Sequence, residues 1–148
     1  MRRVGRSPDP NRRYTLRPGV YAILPCRGGV LLTAQFEDGM PDVQLPGGGI
    51  DAGEHPLPAL HREVFEETGW HITAARRLGA FRRFVYMPEY DLWAEKLCSV
   101  YVARPTRAIC PPPEPLHEAL ILPMKEAIAT LGNDGDRLFM QRYAGVLA

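Results

Sequence analysis

Two short runs near the start of the chain, Val20 to Leu24 and Val30 to Gln35, are apolar and β-prone. Arg27-Gly28-Gly29 between them is a turn signal, so the pattern predicts a hairpin. Residues 36–42, FEDGMPD, have the Gly, Pro and Asp content of an exposed loop. Val43 to Leu45 then predict a short strand that ends at the glycine run Gly47, Gly48 and Gly49. From there the period changes. Leu57, Leu60 and Val64 recur at helical spacing as a core-facing stripe, with Pro56 suited to the first turn and Gly69 to the C-terminal boundary. Trp70 to Tyr86 and Trp93 to Ala103 predict two further strands, joined across MPEYD in a loop. Pro105 to Pro115 predict an extended segment crossing the surface. A short strand near Leu120, a helix from about Pro123 to Leu131 and a last helix after Asn133-Asp134-Gly135 complete the chain. Strands with interspersed helices predict an α/β fold in which a mixed sheet is covered on both faces.

At 148 residues the chain suits one domain, expected over 18–148 behind an N-terminal arm at 1–17. A content of 45% hydrophobic and 24% charged residues excludes wholesale disorder. No apolar run is long enough to cross a bilayer and no secretory signal opens the chain, so the expectation is a cytoplasmic protein with no membrane partner. Cys26, Cys98 and Cys110 are odd in number and far apart, which predicts reduced, mostly buried thiols in place of a disulfide framework or zinc site. The net charge of +1 gives no global attraction to nucleic acid. The arm is different: Arg2, Arg3, Arg6, Arg12, Arg13 and Arg17 make it a candidate for phosphate-rich partners. A solvated chain end, or an arm held by a second subunit of a homodimer, are the alternatives.

The densest chemistry is REVFEETG at 62–69. On a helix, Glu63, Glu66 and Glu67 fall on one patch, and Gly69 puts that patch in the last two turns, where the helix dipole also disfavours negative charge. Hard carboxylate oxygens on successive turns suit Mg²⁺ or Mn²⁺, and magnesium binds through a few carboxylates together with substrate phosphates. An exposed acidic helix face is the plain alternative. Arg62 beside the cluster, Glu54 near the other helix end and a glycine run that lets backbone approach a ligand favour the site.

Residues 48–70, GGIDAGEHPLPALHREVFEETGW, resemble the Nudix box of the Nudix hydrolases. Gly48, Glu54, Arg62, Glu63, Val64, Glu66, Glu67, Gly69 and Trp70 stand at its fixed positions, with Trp70 large for its place. The resemblance implies an α/β/α sandwich with the box as loop, helix and loop, and cleavage of the diphosphate bond of a nucleoside diphosphate derivative with divalent cations. Carried over, Glu63, Glu66 and Glu67 are metal ligands, with the Gly47 carbonyl a further one. Arg62 orients a glutamate, Glu54 braces the loop, and the general base is Glu63 or, second, Glu118. Ile121 stands where many members have tryptophan, which removes an aromatic contact there. Tyr86 or Tyr90 lie near a tyrosine typical of dinucleoside polyphosphate hydrolases, and Pro88 near a proline typical of ADP-ribose hydrolases. Leu45-Pro46-Gly47, without the glutamine of RNA-decapping relatives, favours a small nucleotide substrate over RNA ends.

Other motifs are weaker. Gly47, Gly49 and Ala52 match a degenerate dinucleotide fingerprint, but Pro56 and Pro58 fall where its helix should be running. His55, His61, His71 and His117 form no zinc motif and read as surface or packing residues. Arg82, Arg83 and Lys96 are within the reach of substrate phosphates or form a solvated face, and Tyr86, Tyr90 and Trp93 stack on a base or pack. Two rival functions follow: a nucleotide-sensing or RNA-binding module without turnover that uses the arm, and a proline-mediated scaffold resting on residues 111–115.

Overall fold

The computed structural model describes residues 1–37 and 39–147. Its strands are β1 (Arg2–Arg3), β2 (Thr15–Cys26), β3 (Gly29–Glu37), β4 (Met40–Gln44), β5 (Gly47–Gly49), β6 (Trp70–Met87), β7 (Leu92–Ala108) and β8 (His117–Leu122). Its α-helices are α1 (Pro56–Thr68), α2 (Met124–Thr130) and α3 (Asp134–Leu147). The strands join in the order β1-β6-β7-β2-β3-β4, with β5 pairing to β2 and β8 to β3. β2 runs parallel to β7 from Thr15 to Ile23, takes β5 on its other side at Gly19–Tyr21, and turns into the β3 hairpin at Leu24–Cys26. The sheet is therefore mixed, as predicted.

Alternation along β2 and β3 explains why their sequences read as apolar runs. Val20, Ala22, Leu24 and Leu31 face α1, packing with Ala59, Leu60 and Val64. Tyr21, Ile23, Val30 and Leu32 face the opposite side, with Ala127, Leu131, Phe139 and Met140 of the α2–α3 layer. Strands covered on both faces lose the polar half of the alternation, and the result is the three-layer α/β/α sandwich.

Several boundaries differ from the sequence reading. Residues 36–42 are largely strand, since β3 and β4 pair from Thr33↔Gln44 to Glu37↔Met40; Asp38 lies outside the described residues. Gly39, at φ 79°, suits a tight hairpin as well as it suits a loop. β7 continues through Pro105, which pairs with Ile72, because β2 stops pairing at Val102 and leaves β7 an edge where a proline is tolerated. Leu57 is exposed, and Ala59, Leu60, Val64 and Thr68 form the buried stripe of α1 instead. Cys98 is buried, but Cys26 is only partly so and Cys110 is exposed.

The arm is packed on its own chain. β1 pairs in parallel with Phe81 and Arg82 of β6, the Val4 N–H donates to the Arg82 carbonyl at 2.9 Å, and Val4 packs against the core. Further along, the Arg12 guanidinium lies 3.7 Å from the Trp93 ring centre and that of Arg17 4.6 Å from Tyr90, while Tyr14 packs edge-on against Phe84. Thr15, Leu16 and Arg17 already belong to β2.

The proline-rich segment seals the end of α1. Gly69 adopts φ 75° and its N–H donates to the Phe65 carbonyl; its own carbonyl accepts from Ile109, and the Glu66 carbonyl accepts from the Glu114 N–H at 2.9 Å. Helix-terminal carbonyls that would otherwise face water are thus satisfied by residues 109–114. A Cβ on Gly69 would collide with the Cys110 carbonyl as well as strain the left-handed backbone. Gly69→Ala is expected to lower the unfolding free energy by about 2 kcal/mol or more in urea titration. A change below about 0.5 kcal/mol would mean that the segment yields freely.

Candidate active site

The glycine strand β5 lies against the last two turns of α1, and this contact assembles the acidic cluster. Gly47 has φ 154° and no room for a Cβ between Val20 and Tyr21; Gly48 likewise leaves no room beside the Glu63 carboxylate. The Gly47 N–H donates to Glu67 Oε1 at 3.0 Å. Arg62 is at the centre of the remaining contacts. Its Nε and Nη2 donate to the two oxygens of Glu54, both at 2.8 Å, its Nη1 to Glu63 Oε1 at 2.8 Å and Glu66 Oε2 at 3.3 Å, and its Nη2 to the Gly49 carbonyl at 3.1 Å. The Asp51 N–H donates to Glu54 Oε1, closing the loop between β5 and α1. Glu54 does brace the loop, through a bidentate ion pair of the kind in which arginine is hardest to replace.

The countercharge inferred from the crowded glutamates is partly supplied by the chain itself. Arg62 is nevertheless one cation among Glu54, Glu63, Glu66 and Glu67, and the consequences differ by residue. Glu54 is held down to about 2, first by its bond to Arg62 and then by the Asp51 N–H. Glu63 is pushed up by burial despite Arg62. Glu67 is pushed up to about 8, mainly by burial, with the Gly47 N–H opposing and the charges of Glu63, Glu114 and Glu66 adding. Among the described residues no three His, Cys, Asp or Glu side chains are drawn into a ready coordination shell, and Arg62 Nη1 holds Glu63 and Glu66. The donor set still fits a hard divalent cation: oxygen-only, several negative charges, and two carboxyls whose ionised forms are poorly solvated where they stand.

Glu118 is not brought to this cluster. It is exposed on β8, and among the described residues no hydrogen bond or ion pair joins it to Arg62, Glu63, Glu66 or Glu67. Its neighbour His117, read from sequence as a surface or packing residue, occupies the inward position. His117 Nδ1 lies 2.8 Å from Thr33 Oγ1, which donates to the Glu67 carbonyl, and Nε2 lies 3.7 Å from Glu67 Oε2. Burial lowers the pKa of His117. Glu114, passed over inside the proline segment, is carried to the C-terminal end of α1 by its bond to the Glu66 carbonyl. Neither residue has a spacing signal, since each reaches the site through long-range pairing. Of the remaining histidines, His71 stacks on Phe65 at 5.1 Å, and His61 is exposed. The arm occupies faces of Trp93 and Tyr90, two of the rings considered for base stacking.

The NUDIX domain family model matches residues 15–143. The chain belongs to the Nudix hydrolase family. This Nudix chain is 40% identical over 95 residues to an RNA pyrophosphohydrolase of Cereibacter sphaeroides (strain ATCC 17029 / ATH 2.4.9), a match covering 59% of this chain and 57% of that protein. It is 47% identical over 53 residues to an RNA pyrophosphohydrolase of Cellvibrio japonicus (strain Ueda107), covering 36% and 31% respectively. The matches span about half the length of the first such relatives. Among solved structures, a NUDIX hydrolase from Nitrosomonas europaea superposes with a TM-score of 0.71 at 17% identity, covering 88% of this chain and 90% of the other. A MutT protein from Bacillus halodurans gives 0.69 at 21%, covering 84% and 80%. At these identities the structural matches establish the Nudix fold. Among the described residues no helix is long and apolar enough to cross a membrane.

A carboxyl whose folded pKa lies above its ordinary value binds its proton more tightly in the folded chain than in the unfolded one. For Glu67 that contribution is fully present below about pH 4.5 and is lost as pH rises through about 8. In EDTA, the wild type is expected to lose roughly 2–4 kcal/mol more stability across this window than Glu67→Gln does, read as the difference in unfolding free energy. Equal pH slopes for the two proteins would mean that Glu67 is not the desolvated acid.

Proposed function

We propose that the protein is a divalent-metal-dependent pyrophosphohydrolase that cleaves the diphosphate bond of a nucleoside diphosphate derivative by attack of water on phosphorus. The observation that carries this reading is the convergence of Glu63, Glu66 and Glu67 beside the glycine strand, with Glu67 desolvated and anchored to the Gly47 N–H. Glu63, Glu66 and Glu67 would hold Mg²⁺ or Mn²⁺, with the Gly47 carbonyl as a further ligand. When bound, such an ion supplies charge neutralisation for the phosphates and acidifies water.

The chain's own contribution is positional. Arg62, clamped by Glu54 and the Gly49 carbonyl, fixes the carboxylates of Glu63 and Glu66, and His117 with Thr33 backs Glu67 from behind. Glu63, whose proton affinity is raised by burial, is the first candidate for the general base, and Glu118 the second. No protein nucleophile is required. Similarity to RNA pyrophosphohydrolases brings 5′-polyphosphorylated RNA into the substrate class beside small nucleotides, against the preference drawn from Leu45-Pro46. The competing reading, a nucleotide- or RNA-binding module without turnover, draws on one feature: Arg62 already neutralises part of the cluster.

With a panel of nucleotides and a 5′-triphosphorylated oligoribonucleotide in Mg²⁺ or Mn²⁺, the wild type is expected to release pyrophosphate, phosphate or a nucleoside monophosphate. Glu67→Gln and Glu63→Gln should each lose on the order of a hundredfold or more in kcat. Arg62→Lys, which keeps the charge but not the fork, should lose on the order of ten- to a hundredfold. Glu118→Gln retaining full turnover would leave Glu63 as the base; full turnover in Glu67→Gln would sink the assignment.

A further inference from the structure

Pairing across three strands sets a row of cations on the sheet. Arg17 of β2 is opposite Lys96 of β7, and Lys96 is opposite Arg83 of β6. Directly paired residues project from the same face of a sheet, with Cβ atoms about 5 Å apart, and like charges so placed are destabilising. All three side chains are half-buried. Among the described residues none of them forms an ion pair: the carboxylate on β7 beside them, Glu95, is bound to Arg82 at 3.3 Å. Arg17 rests on the Tyr90 ring, and Lys96 Nζ lies 5.8 Å from the Tyr21 ring centre. Asp136 is the carboxyl that feels both Arg83 and Lys96, but it is buried and its Oδ2 accepts the Leu45 N–H. One such group does not neutralise three cations.

The row is connected to the acidic cluster. Tyr21 lies on the same face of β2 as Arg17, pairs with Gly47, and so touches the glycine whose N–H holds Glu67. The charges of Glu67 and Arg83 both reach the Tyr21 hydroxyl, with opposite effect. Beyond Arg83 the surface opens into a cavity of about 350 Å³ whose walls include Arg6 of the arm, Tyr86, Trp93, Asn133 and Asp134, the last neutralised by Arg137 at 2.8 Å. That volume lies in the range of small-molecule sites, and its arginine, aromatic and amide lining is the chemistry that holds a phosphorylated nucleotide. The wall formed by residues 4–6 lies outside the matched family region of 15–143.

We infer that Arg17, Lys96 and Arg83 form a second phosphate subsite, and that with the arm-walled cavity it holds the internucleotide phosphate of a 5′-polyphosphorylated oligoribonucleotide whose 5′ end lies at the glutamates. This rests on the pyrophosphohydrolase reading for the chemistry at the 5′ end, but not for binding at the row. A nucleoside triphosphate has no phosphate to place there. The subsite therefore acts on selectivity between oligonucleotide and mononucleotide.

Two measurements on the full chain separate the inference from the proposed activity. In EDTA, anisotropy of a labelled 5′-monophosphorylated trinucleotide should show binding that weakens about tenfold in Arg83→Gln and in Lys96→Gln. Each lost cation should make the slope of log affinity against log salt shallower by about 0.7. Arg83→Lys should restore most of the affinity, and Arg17→Gln serves if Arg83→Gln does not fold. In Mg²⁺, the ratio of kcat/KM for a 5′-triphosphorylated trinucleotide to that for a ribonucleoside triphosphate should fall about tenfold in the Gln variants. Unchanged trinucleotide binding, no wild-type binding, or an equal fall on both substrates would overturn the inference. Loss of binding in the variants without turnover of any substrate by the wild type would uphold the subsite and overturn the pyrophosphohydrolase reading.

Discussion

A guanidinium held by more carboxylates than it can neutralise is the interaction on which the candidate site depends. Arg62 takes Glu54 with a two-point fork, reaches Glu63 and Glu66 with its other edge, and still has a hydrogen left for the Gly49 carbonyl. The helix, the loop before it and the glycine strand are thereby tied at one point. Glu67 stands outside that clamp, with one backbone N–H and a mostly buried carboxyl, and the electrostatic imbalance is concentrated there. Neutral protonation, or an incoming cation, are the two ways such a group can be accommodated in a low-dielectric setting.

The parts of this arrangement that rest on local rules were legible in the sequence. Pro56 and Gly69 bracket α1 where the sequence puts its ends, and Arg27-Gly28 forms the predicted turn, both residues having positive φ. Glu63, Glu66 and Glu67 were separable from an ordinary acidic face only because Arg62, Glu54 and three glycines stand at fixed distances from them. Leu57, in the first turn of α1, was misassigned because spacing alone does not say how far along a helix the packed face extends, while the small Ala59 packs inward unnoticed. The doubly covered mixed sheet followed from strands with interspersed helices, and the α/β/α sandwich from the resemblance of residues 48–70 to the Nudix box.

What escaped the sequence depends on pairing between distant segments. Nothing local says that Arg2 and Arg3 find the edge of β6, that β7 continues through a proline, or that Glu114 bonds to the last turn of α1. The phase of β8 was equally hidden. His117 and Glu118 are adjacent and both suited to proton chemistry, and only the register His117↔Gln35, Glu118↔Ala34 decides which of them meets Thr33 and Glu67. The cationic row has the same origin, since Arg17, Lys96 and Arg83 are neighbours only through two strand pairings.

The proline-rich crossing between β7 and β8 is pinned at its start by the Ile109 N–H on the Gly69 carbonyl, and toward its end by the Glu114 N–H on the Glu66 carbonyl and by the Leu116 carbonyl accepting from Phe36. With both ends of so short a span fixed, β8 has no slack to slide along β3. A slip of a single residue would interchange inward and outward side chains, turning the imidazole to solvent and a carboxylate into an already over-negative pocket. The stiffness of an irregular connection thus decides whether the sheet presents a neutral imidazole or one more carboxylate to the helix.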